Sequence, residues 1–168
     1  DAIVLNETTT ITVSGYTVDL SDDFTRTDAE GSVIEAGGNL TFVPKDPNYD
    51  YTVTVTVGGE EVTPTIGEDG TYTVPNVNGN VVVKSEKTPK SFNVTLGDDT
   101  TGAATATYMK DYTFKLTPAD GYTYNMAVTI GGKDYTGFTA AANEDGTTTY
   151  TIPGADVTGD IIINSNKA

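Results

Sequence analysis

Apolar and polar residues alternate with period two along Tyr49–Val57, where Tyr49, Tyr51, Val53, Val55 and Val57 are separated by Asp50, Thr52, Thr54 and Thr56. In β-branched and aromatic residue types, that alternation specifies a strand with one buried face. Tyr122, Tyr124, Met126, Val128 and Ile130 repeat the same phase. A one-residue slip would turn every one of these side chains to solvent, so the register is well determined. Each run leads to a glycine pair, Gly58-Gly59 or Gly131-Gly132, which supplies positive φ for a tight hairpin. Glu61–Ile66 and Asp134–Thr139 are the expected return strands.

The correspondence continues beyond the hairpins. Asp-Gly turns at Asp69-Gly70 and Asp145-Gly146 precede strands expected over Thr71–Val74 and Thr148–Ile152. Each of these is expected to end at a proline, Pro75 or Pro153, which cannot donate to a ladder. Turns at Asn78-Gly79-Asn80 and Thr158-Gly159-Asp160 open onto the apolar runs Val81–Val83 and Ile161–Ile163. Continuous runs of this kind suit strands buried on both faces. From the glycine pair to the proline the second copy spans 22 positions against 17 in the first, a gap that a surface loop absorbs.

The opening strands are Tyr16–Leu20 and Phe92–Leu96. Asn39–Val43, carrying Leu40 and Phe42, matches Asp111–Lys115, carrying Tyr112 and Phe114. Lys87–Ser91 is the expected linker, placing module one at 1–87 and module two at 88–168. The connection Ser21–Glu35 is rich in turn formers and leaves room for a short helical turn. Module one also carries an extra N-terminal strand, Ala2, Ile3, Val4 and Leu5, with no counterpart in the second copy. This run either pairs with an edge of its own module or acts as a donor strand for a neighbouring subunit.

Composition narrows the chemistry. Among 168 residues there is no His, Cys or Trp, which excludes imidazole-based triads, thiol nucleophiles and Cys/His metal sites. A net charge of −15 with nine Lys and Arg residues repels phosphate backbones, so nucleic acid is not an expected partner. No apolar run reaches the about 18 residues of a membrane-spanning helix, and membrane insertion is not expected. Asp22, Asp23, Asp28 and Glu30 are oxygen ligands of the kind calcium favours. Their spacing matches no calcium loop, however, and solvated loop acids are the simpler account. Neither a metal nor a cofactor is expected, and neither is catalysis. Aromatic faces anchor protein and sugar contacts. Most of the tyrosines are in phase with the valines of the core, which leaves Tyr108 and Tyr135 as the candidate ligand contacts.

Phe114, Leu116-Thr117-Pro118, Gly121-Tyr122, Gly131-Gly132, Gly146, Tyr150, Pro153, Gly159 and Ile161–Ile163 form an ordered signature. In module one its counterparts are Phe42, Pro44, Gly58-Gly59, Gly70, Tyr72, Pro75, Gly79 and Val81–Val83. This pattern resembles the divergent relatives of the internalin B-repeat, small β-grasp-like modules of Gram-positive bacterial surface proteins. Module one departs from it at Asn48, where the pattern has glycine, and in its longer Ser21–Glu35 loop. The motif consists of turn and core positions, and no catalytic residue travels with it.

The fold expected is all-β: two tandem small antiparallel modules, β-grasp-like or Ig-like. The resemblance implies a non-enzymatic structural or adhesive segment, extracellular and either secreted or attached to the cell wall. Its expected partner is a protein or glycan on a host or neighbouring cell surface, or copies of itself. Two alternatives stand beside this: a filament subunit polymerising through Ala2–Leu5, and a carbohydrate-binding module. Starting at Asp1 rather than Met, the chain reads as a mature secreted form or an excised fragment.

Overall fold

A computed structural model describes residues 15–168; the candidate donor strand Ala2–Leu5 lies outside the described residues. The first nine strands are β1 (Gly15–Leu20), β2 (Phe24–Arg26), β3 (Val33–Glu35), β4 (Gly38–Pro44), β5 (Tyr49–Val57), β6 (Glu60–Val62), β7 (Thr65–Ile66), β8 (Tyr72–Val77) and β9 (Val81–Pro89). They form two sheets, in the orders β3-β1-β9-β5-β6 and β2-β4-β8-β7. The next nine are β10 (Ser91–Thr95), β11 (Thr100–Gly102), β12 (Thr105–Thr107), β13 (Tyr112–Leu116), β14 (Tyr124–Ile130), β15 (Lys133–Tyr135), β16 (Thr139–Ala142), β17 (Thr148–Ile152) and β18 (Ile161–Lys167). Their sheets run β12-β10-β18-β14-β15 and β11-β13-β17-β16. Strand for strand, the second set repeats the order of the first. The duplication seen in the turns is therefore a duplication of topology.

In module one a single core draws side chains from both sheets: Val18, Val55, Val81 and Val83 meet Phe24, Leu40, Phe42, Tyr72 and Val77. Two sheets closing over a shared core make a sandwich. Among the described residues no α-helix covers a sheet as a β-grasp module would require, and the five-stranded order β3-β1-β9-β5-β6 is not a sheet order of an Ig domain. Phe42 and Tyr72 stack with centroids 5.2 Å apart, and the corresponding Phe114 and Tyr150 stack at 5.0 Å. Phe24 stands edge-on to Phe42 at 5.2 Å, an arrangement that aromatic quadrupoles favour.

Several local expectations differ from the structure. The modules are not wholly antiparallel, because β1 pairs with β9, and β10 with β18, in parallel. The expected return strands each divide in two: β6 pairs with β5 and β7 with β8, while β15 pairs with β14 and β16 with β17. Pro64 and Gly137 fall at the breaks, where a ladder bond is lost and the chain passes to the opposite sheet. Val81–Val83 and Ile161–Ile163 are buried on one face, not two. Val81 and Val83 are core, but Ile162 is 43% exposed, because a two-layer sandwich leaves the outer face of each sheet to water.

Tyr122 is 53% exposed instead of inward, since Gly121, with φ of 81°, turns the chain before β14 begins. The first proline does not end its strand. β8 continues through Pro75 to Val77, because the register shifts between Gly38 and Leu40 and Asn76 takes a φ of 52°. At such a bulge the missing N–H costs nothing. Ser21–Glu35 holds β2 and β3, whereas the helical turn lies in module two, at Gly154–Asp156 directly after Pro153.

The chain divides into two compact units: Asp1–Pro47 with Tyr51–Glu86, and Asn48–Asp50 with Lys87–Ala168. Most of the expected linker is strand. Lys87–Pro89 completes β9, and Lys90 alone separates it from β10.

Candidate functional site

Each module has a joint where the hairpin glycines meet the turn before the closing strand. A Cβ built on Gly79 would fall 2.7 Å from the Gly58 Cα, and one on Gly159 would fall 2.8 Å from the Gly131 Cα. Glycine is required here for close approach of two backbones. The approach permits hydrogen bonds from Gly58 N to Asn80 O at 2.8 Å and from Gly131 N to Asp160 O at 2.9 Å. The same two residues also reach the opening strand by side chain. Asn80 Oδ1 accepts from Thr17 N at 3.1 Å, and Asp160 Oδ1 accepts from Asn93 N at 2.9 Å. These roles were missed in the sequence; their only trace is an Asn or Asp directly after the same glycine in both copies.

The acidic loop residues serve the fold. Arg26, the only arginine in the chain, donates from Nη1 to the carbonyls of Gly31 and Val33 at 3.1 and 2.8 Å. Its Nη2 donates to Asp28 Oδ2 at 2.6 Å, and Asp28 Oδ1 accepts from Thr41 N at 3.0 Å. Burial by itself would raise the Asp28 carboxyl, but the Arg26 and Thr41 hydrogen bonds and the guanidinium charge together hold it below the usual range. Asp23 accepts from Ser85 Oγ at 2.7 Å. Asp99 is lowered by hydrogen bonds from Lys167 and then from Tyr124, with Lys167 Nζ 2.7 Å from its Oδ2. Asp69 and Asp145 each accept the backbone N–H two residues on, at 3.0 and 3.1 Å, closing the Asp-Gly turns. Among the described residues, no three Asp or Glu side chains are grouped to hold a metal ion.

The two candidate tyrosines are not brought together. Tyr108 follows β12 and Tyr135 ends β15, and these strands are opposite edges of one sheet. Tyr108 is half-buried, edge-on to Tyr49 at 5.3 Å within the second compact unit. Tyr135 stands at a shallow cleft of about 220 Å3 lined by Ile130, Lys133, Asp134, Asp156 and Thr158, below the about 300 Å3 at which small-molecule pockets begin. Its hydroxyl donates to Asp156 Oδ2 at 2.6 Å. A Cβ on Gly137 would fall 2.5 Å from that hydroxyl, so the loop lies directly over it. Partial burial, then the Asp156 hydrogen bond and charge, push the phenol up to about 12.

A neutral phenol is therefore favoured in the fold. This contribution is fully present below pH 10, the ordinary tyrosine value, and is lost as pH rises through about 12. Tyr135→Phe is expected to cost about 0.5–1 kcal/mol at neutral pH, the net value of one partly exposed hydrogen bond. It should also remove that part of the stability loss between the two pH values. Urea titrations of both forms across the alkaline range read both effects.

No family model, curated protein or solved structure matches the chain.

Proposed function

We propose that this chain is a non-enzymatic structural or adhesive segment of a bacterial cell-surface protein, acting outside the cell. The observation that carries the reading is the repetition of a complete nine-strand module with one strand order. Core, turns and joints recur, while outward positions change: Thr52 and Thr54 have Asn125 and Ala127 as their counterparts. A fold kept constant beneath a varied surface suits a repeated spacer that presents contacts to a protein or glycan on another surface. The resemblance to internalin B-repeat-like modules points the same way, and the charge of −15 opposes self-association. Among the described residues no helix is long and apolar enough to cross a membrane.

A filament subunit is the second reading. In its favour, β16 is an edge strand exposed along Thr139–Ala142 and carries no charge or proline. Extended apolar segments add to edges of this kind, and the filament reading gives that role to Ala2–Leu5. Light scattering of the chain with and without residues 1–8 separates the two. A monomer in both forms is expected for the surface segment; polymers that vanish on truncation would replace it with the filament.

A further inference from the structure

We infer that each module is a tensile clamp, in which opening and closing strands resist force along the chain by shear. Tension enters a module at the start of its opening strand and leaves at the end of its closing strand. Those two strands are parallel neighbours in both modules. In a parallel pair, the start of one strand and the end of the other lie at opposite ends of the ladder. Pulling them apart slides the strands past each other, and every bond between them is loaded at once. In an antiparallel pair pulled from its open end, the bonds break one after another.

The clamp is built from named residues. In module one Val18, Asp19 and Leu20 pair with Val81, Val82 and Val83, and Ser21 N donates to Val83 O at 3.0 Å. In module two Val94 and Thr95 pair with Ile161 and Ile162. Asn80 and Asp160 extend each ladder by one bond, because their side chains take the opening-strand N–H just below the first paired residue, Thr17 at 3.1 Å and Asn93 at 2.9 Å. Sliding must break these bonds too. Val18, Val81 and Val83 are core residues, as are Ile161 and Ile163, so movement also drags apolar side chains out of the sandwich. The property belongs to each module and does not depend on where the protein resides.

The cysteine-free chain allows single-molecule tethers at chosen points. One form of the full chain carries Lys90→Cys and a cysteine appended after Ala168, which loads module two between the start of β10 and the end of β18. The other carries Tyr122→Cys and the same appended cysteine. There β14 and β18 are loaded from their open end, where Thr123 and Ala168 exchange backbone hydrogen bonds at 3.1 and 3.0 Å. Forced unfolding reports the unfolding rate along the pulled direction.

The unfolding force is expected to be at least roughly twofold higher for the 90–168 tether, because its bonds act together. Equal forces in the two directions would overturn the clamp. In the 90–168 geometry, Asp160→Ala is expected to speed rupture at a set force by roughly two- to tenfold. Asp160→Asn should restore it, since Asn80 fills that place in module one. An unchanged rupture rate in Asp160→Ala would overturn the role given to the side chain.

Discussion

Phe42→Ala is expected to unfold the first module while the second keeps its structure. Phe42 is fully buried, stacked on Tyr72 at 5.2 Å and met edge-on by Phe24 at the same distance. Truncating it removes the ring's transfer free energy and leaves a cavity between the sheets, together about 3–5 kcal/mol. A unit of this size has a total stability of only about 4–10 kcal/mol. Hydrogen exchange read by mass spectrometry separates the units directly. Peptides from 15–86 should lose protection, while those from 91–167 should keep it. Loss of protection in both together would mean that the two modules unfold as one cooperative unit. Phe114→Ala, at the equivalent stack with Tyr150, should give the mirror-image result.

Gly154→Ala is the second large effect, and it acts through backbone. A Cβ there would fall 2.3 Å from Lys110 N and 2.4 Å from Met109 C. Neither atom can give way easily. Met109 already has a φ of 63°, its N–H donates to Gly154 O at 2.8 Å, and Lys110 N donates to Thr107 O at 3.1 Å. Gly154 N is itself held by Asp111 Oδ1 at 2.8 Å. Overpacking against backbone that cannot shift is expected to cost about 2–3 kcal/mol.

The equivalent place in module one is Asn76, held in the same way by Asn39 Oδ1 at 2.9 Å. Its φ of 52° suits glycine, so Asn76→Gly is expected to change stability by less than about 1 kcal/mol. Urea midpoints of the two variants check the contrast. Similar losses in both would mean that the close approach at Gly154 is not what makes that position intolerant.

The phase of β5 was legible because alternation is a local property, and its bounds, Tyr49–Val57, are those the side chains imply. The glycine pairs and Asp-Gly turns were legible for the same reason, since positive φ selects residue types one at a time. Tyr135 stood out in the sequence only for its place beside a turn. In the fold it is partly buried, as Tyr16, Tyr51, Tyr124 and Tyr150 are, and packs against the module-two core, and nothing local announced Asp156 as its partner. Asp156 lies in a turn that the sequence pattern left undescribed. Arg26 carried a signal only in being the sole arginine; its carbonyl and carboxylate partners come from a loop whose path periodicity does not describe.

By itself, then, the sequence determined that there are two copies of one β module, which residues point inward on the central strands, and where the chain turns. All of these follow from φ preferences and from the two-residue period of side-chain direction. The tertiary structure decided the rest: that opening and closing strands lie side by side in parallel, that each hairpin arm changes sheets, and that Gly79 and Gly159 sit against Gly58 and Gly131. Those choices join residues more than sixty positions apart along the chain. They are set by which pair of faces buries the most apolar surface, and no local pattern encodes that.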